Sequence, residues 1–172
     1  MPVEFVNHDS VLLGEGTYMW VHLESFTFDV AHDDRAVLAE LITSDAYAWD
    51  FATSPAPPHP IWLEHRIHGR WPLDAISVDR FRPISSDDAI SMIERWAREQ
   101  EWSDSDYRQP EDALVRLEPV YALLRSGSVF QLDNPRDDET YEGWVTGLTG
   151  FHEFVVLNRS SGSLHVIVAS DD

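Results

Sequence analysis

The side chains best suited to chemistry gather in two stretches. Between residues 59 and 71 stand three of the eight histidines, His59, His65 and His68, with Glu64 beside them and Trp62 and Trp71 around them. Imidazole next to carboxylate can move protons or ligate a metal. The spacing matches no metal motif such as His-Glu-x-x-His. If Ile61 to Gly69 were helical, His65 and His68 would share a face as i, i+3 neighbours. The stretch is read as a partly exposed cluster, with His59, Trp62, His65, His68 and Trp71 as a candidate pocket and no metal or cofactor.

The second stretch, Asp133 to Glu142, is mostly acidic. Its carboxylates Asp133, Asp137, Asp138, Glu139 and Glu142 form a candidate surface for the arginines or lysines of a partner. A loose calcium site through Asp133, Asp137 and Glu139 is the other chemistry open to them. The spacing fails the pattern of a calcium-binding helix–loop–helix, which needs glycine at the sixth loop position and glutamate at the twelfth. A solvated loop with no ligand is the plain alternative.

Other chemistry is excluded by what is missing. The chain has no cysteine, which removes disulfides, thiolate-ligated metals and thiol nucleophiles together. Gly14-Glu15-Gly16 is not followed by the residues of a phosphate loop, and it precedes a strand-like run where a helix is needed. His22-Leu23-Glu24 resembles half of a zinc-deaminase motif whose other half requires cysteines. No nucleophile elbow and no acid/base pair stands out, so no catalytic residue is assigned.

Charge narrows the partners. Of 172 residues, 31 are acidic and 12 basic, all arginine, for a net charge of -19. Biased composition can produce this, and so can a surface that meets a basic partner. Either way the field repels nucleic acid and anionic membrane. Three functional readings follow. The first is a small acidic protein that neutralises or regulates a basic protein partner, of the kind immunity proteins provide. The second is an enzyme or small-ligand binder using the His/Trp pocket. The third is an acidic decoy that mimics nucleic acid. No apolar run is long enough to span a membrane, and Met1-Pro2-Val3-Glu4 does not open a secretory signal, so a cytoplasmic location is expected.

The elements that must position these residues are read from periodicity. Phe151–Asn158 and Leu164–Ala169 are β-branched runs around Arg159-Ser160-Ser161-Gly162-Ser163, the pattern of a hairpin whose glycine takes positive φ. Both faces are largely apolar, so the hairpin is expected at the centre of a sheet, with Ser170-Asp171-Asp172 ending it. Pro2–Val6 reads as a short strand, His8–Ser10 as a turn, and Thr17–Val30 as strand with a turn or bulge at Glu24-Ser25. Asp33–Thr43 and Asp87–Glu101 read as capped helices with apolar stripes. The stripe Leu114, Leu117, Tyr121, Leu124 is either one helix kinked at Pro119 or two short ones, closed at Ser126-Gly127. Ser128–Leu132 and Trp144–Leu148 are strand candidates. Residues 1–172 are therefore expected to form a single α+β domain: an antiparallel sheet of five or six strands, about three helices packed on it, and the C-terminal hairpin central.

Overall fold

The computed structural model describes residues 2–14, 19–48, 67–98, 109–136, 139 and 150–171. Its frame is a six-stranded antiparallel sheet in the order β1-β2-β8-β7-β6-β5. The strands are β1 (Glu4–Leu12), β2 (Met19–Thr27), β5 (Phe81–Ile84), β6 (Ser128–Leu132), β7 (His152–Asn158) and β8 (Ser163–Asp171). A separate two-stranded ribbon pairs β3 (Ile67–His68) with β4 (Trp71–Pro72).

The C-terminal hairpin β7–β8 occupies the middle of the sheet, as its two apolar faces require. Leu157 pairs with Leu164, Val155 with Val166 and Glu153 with Val168. The odd positions of β7 and even positions of β8 point into one core, with Trp20 and Phe26 of β2. Phe154, Val156, Ile167 and Ala169 point into a second core on the opposite face. Burying each large aliphatic or aromatic side chain contributes roughly 1.5–3 kcal/mol, so strands covered on both sides anchor the fold. At the turn, Gly162 has φ +67° and its carbonyl accepts from the Phe28 amide at 3.0 Å.

Helices cover both faces. On the first, α1 (Asp34–Ile42) buries Val37, Leu38 and Leu41, and Asp33 caps it by accepting from the Ala36 amide at 2.8 Å. Arg159 in the hairpin turn donates to the carbonyls of Val30 and His32 and pairs with Asp34, tying the turn to the start of α1. On the second face lies α2 (Ser86–Arg98), whose buried stripe is Ala89, Ile90, Ile93, Trp96 and Ala97. The Ser85 hydroxyl accepts from the Asp88 amide and donates to the Asp88 carboxylate, which caps this helix. The stripe around Pro119 resolves into two short helices, α3 (Glu111–Val115) and α4 (Glu118–Leu124), with Pro119 in the first turn of α4, where a missing N–H costs nothing.

Several expected boundaries are corrected. His8-Asp9-Ser10 is not a turn but the middle of β1, an edge strand paired along β2 with an irregularity at Val6. Edge strands face water and accept polar residues that a central strand would not. Glu24-Ser25 lies within β2 rather than at a turn. Asp171 does not end β8 in solvent; it is buried opposite Met19. Phe81–Ile84 is the other edge strand, its Pro83 permitted there because the outer side of an edge needs no donor. Gly127 does not have positive φ. A Cβ there would lie 2.2 Å from the Leu157 carbonyl oxygen, so glycine is needed for close approach of two backbones. Trp144–Leu148 lies outside the described residues.

Candidate functional site

Of the candidate pocket, His68 and Trp71 are described; His59, Trp62 and His65 lie outside the described residues. His68 sits on β3, so the helical alternative does not extend to it, and it faces Trp71 across the ribbon. Both are fully buried. The Trp71 indole N–H donates to the Asp133 carbonyl at 2.9 Å, and the Arg80 guanidinium lies 4.9 Å above its ring.

Beneath the ribbon is a buried polar group that joins three distant segments. His68 Nε2 lies 2.6 Å from Glu153 Oε2, and the Tyr47 hydroxyl donates to Glu153 Oε1 at 2.6 Å. His68 Nδ1 lies 2.6 Å from the Tyr47 carbonyl oxygen, and the two rings stack with centroids 3.9 Å apart. A carbonyl can only accept, so Nδ1 carries a hydrogen. One further proton is then shared between Nε2 and Glu153, as imidazolium–carboxylate or as imidazole–carboxylic acid. Burial, and next the Glu153 charge, push the Tyr47 hydroxyl well above its usual range, so it stays a donor.

The same face carries a second buried pair on β2, two strands away. His22 pairs with Val168, whose other neighbour is Glu153, and Glu24 pairs with Val166. His22 Nε2 lies 3.4 Å from Glu24 Oε1, both residues almost wholly buried. Glu24 Oε2 has no hydrogen-bond partner among the described residues. Neither pair is assembled as a metal centre: no group of three or more ligating side chains that could hold an ion occurs among the described residues. The arrangement closes on itself. Both Glu153 oxygens and both His68 nitrogens are engaged, and what it does chemically is fasten the Asp45–Tyr47 turn and the ribbon to the sheet.

Of the acidic stretch, Asp133 and Glu139 are described; Asp137, Asp138 and Glu142 lie outside the described residues. Asp133 pairs with Arg82. Glu139 pairs with Arg80 at 2.7 Å and accepts from the Arg136 amide at 3.1 Å. That amide, then the Arg80 and Arg136 guanidiniums, hold the Glu139 carboxyl down to about 2. The structure thus brings Asp133, Glu139, Arg80, Arg82 and Trp71 together, and the two described carboxylates are answered by the chain's own arginines.

Carboxylates without such partners lie on the opposite face. Glu94, Glu111 and Glu118 on α2, α3 and α4 are exposed and make no ion pair or side-chain hydrogen bond with a described residue. From Asp87 to Glu118 the sequence holds ten carboxylates against four arginines. Periodicity marks Glu94 as pointing away from the apolar stripe of its helix but does not separate it from ordinary solvated positions, and it does not single out Glu111 or Glu118. Their lack of internal partners is visible only in three dimensions. Tyr47 and Glu153 were likewise not singled out, although one signal existed: Glu153 is a lone carboxylate inside an otherwise apolar strand.

No protein-family model matches the chain, and no curated protein or solved structure matches it. The fold and the site therefore define a class, an antiparallel α+β protein with an acidic surface, and no family beyond it. Among the described residues no helix is long and apolar enough to cross a membrane.

Proposed function

We propose that this chain binds a basic protein partner and thereby neutralises or regulates it, a role of the immunity-protein kind. One observation carries the reading: six of the described arginines are spent on internal pairs, while Glu94, Glu111 and Glu118 on the face of α2, α3 and α4 have no partner among the described residues. Arg35, Arg80, Arg82, Arg116, Arg136 and Arg159 each approach an acid of the same chain. The excess negative charge is left to the surroundings. Such a field speeds encounter with a cationic surface, and the rate falls as salt screens it. A decoy for nucleic acid needs the same excess, so the identity of the captured partner decides between them. The enzyme reading has less support, because the described part of the His/Trp cluster is closed and internally saturated.

Capture from a lysate of the native host, at low and at high salt, tests the proposal. The expected result is one basic protein retained at low salt, released as salt rises, and bound again when purified. Recovering only the proteins that a charge-matched unrelated acidic protein also retains would overturn it. Recovery of a DNA-binding protein displaced by duplex DNA would favour the decoy.

A further inference from the structure

A groove opens where α2 passes α3 and α4. It is lined by Glu94 and Arg98 from α2, and by Glu111, Leu114, Val115, Glu118 and Tyr121 from the other two, and it encloses about 190 Å³. Pockets for whole small molecules run to roughly 300–1,000 Å³, so this one has room for a single long side chain. Three carboxylates face one guanidinium, and Glu94 and Arg98 do not pair although they stand one turn apart on α2.

Two further features separate the groove from an ordinary acidic surface. Its wall is apolar where Leu114 is buried and Val115 stands 65% exposed at the rim. Tyr121 lines it at 5% exposure, and no hydrogen bond joins its hydroxyl to a described residue. Burial, then the charges of Glu94 and Glu118, push that hydroxyl up to about 12, against the opposing pull of Arg98 and Arg125. It remains protonated at any physiological pH, a donor and acceptor awaiting a partner.

We infer that this groove is the socket for one arginine side chain of the basic partner. The apolar wall takes the methylene stem, which long cationic side chains lay along apolar surface. Glu94 and Glu118 meet the guanidinium from the two sides with charge-assisted hydrogen bonds, and Glu111 adds charge at the mouth. The Tyr121 hydroxyl, lining the groove, offers an acceptor to the guanidinium. Arg98 sets the limit on charge and disfavours a second cation. The inference rests on the reading of the chain as a binder of basic proteins, and deepens it by naming the side chain and the place.

An arginine hexapeptide and its citrulline counterpart, equal in shape but uncharged at the tip, are the probes. Binding is followed by calorimetry and by the ring resonances of Tyr121. The expected result is that the arginine peptide binds and shifts Tyr121, while the citrulline peptide does neither. E94Q/E118Q weakens binding by about tenfold, and Tyr121→Phe weakens it less. Glu4→Gln/Asp9→Asn on the edge strand β1 removes the same charge elsewhere and leaves affinity within twofold or so. Circular dichroism and melting of each variant confirm that the fold persists; both pairs of residues are exposed. Equal loss in the β1 variant, an unmoved Tyr121, or equal binding of the citrulline peptide would overturn the socket. Partner capture that survives E94Q/E118Q would overturn it too, and would leave the broader binding proposal standing.

Discussion

At the scale of single residues, the decisive feature is the pairing of His68 with Glu153 under Tyr47. Each is removed from water, and each is tolerated only because the others satisfy it. Glu153→Ala strands an imidazole and a phenol in the core, and should cost about 3–5 kcal/mol in urea unfolding. Glu153→Gln keeps the shape and should cost less. A loss under ~1 kcal/mol for the alanine variant would mean that water already reaches the group. A second residue sets a pH dependence. His152 is lowered to about 4 by burial first and the Arg95 charge second, from an ordinary 6.5. The folded state therefore refuses a proton that the unfolded chain accepts. Stability should fall as pH drops from about 6.5 to about 4, and this contribution should level off below. His152→Gln should flatten that segment of the stability curve. His165, also lowered by burial, supplies part of what slope remains. An unchanged slope in the variant would show that His152 is charged in the fold.

At the scale of elements, the turn and the close approach test different parts of one hairpin. Gly162→Val forces a β-branched residue into left-handed backbone, where its Cβ would sit in ordinary contact with the Phe28 carbonyl oxygen at 3.4 Å without a clash. Backbone strain opposes it by about 1–2 kcal/mol. Gly127→Ala meets the reverse situation: acceptable backbone but a Leu157 carbonyl at 2.2 Å. The strand must move, and overpacking of this kind costs about 1–3 kcal/mol. Melting curves of both variants check these values; a Gly127→Ala protein as stable as the parent would refute the contact between α4's exit and β7. The same elements show what the sequence could disclose. The β7–β8 hairpin was legible because β-branched residues alternate around a glycine turn, and α1 and α2 because stripes and caps coincide. Strand β5 was not, because Pro83 and the turn residues before it disguise four residues at an edge. Nor was the unity of β1, because an edge strand keeps polar residues that read as a turn. The His68–Glu153–Tyr47 group was hidden for a different reason. Its members lie 85 and 106 residues apart, and no local pattern reports which distant side chains meet.

At the scale of the whole molecule, charge opposes compactness. A net charge of -19 on 172 residues repels itself, and the repulsion is relieved when the chain expands. Ion pairs offset it only in part. Arg35–Asp79 lies at the surface, with both side chains more than two-thirds exposed, and such pairs contribute about 0–1 kcal/mol each. Salt weakens attraction and repulsion alike, so the larger decides the sign. Raising salt from about 0.01 M to about 0.15 M shortens the screening length from roughly 30 Å to 8 Å. That removes repulsion between distant carboxylates while sparing pairs in contact. The urea midpoint should therefore rise with sodium chloride, and the gain should shrink in a variant with Glu94, Glu111 and Glu118 all changed to glutamine, whose net charge is smaller. Partner binding should respond in the opposite sense, weakening over the same range of salt. Opposite responses of folding and binding are what a surface with surplus negative charge requires. A midpoint that falls with salt would instead mean that attraction within the chain's own ion pairs outweighs repulsion among its surplus carboxylates, and the electrostatic argument for the face of α2, α3 and α4 would lose its basis.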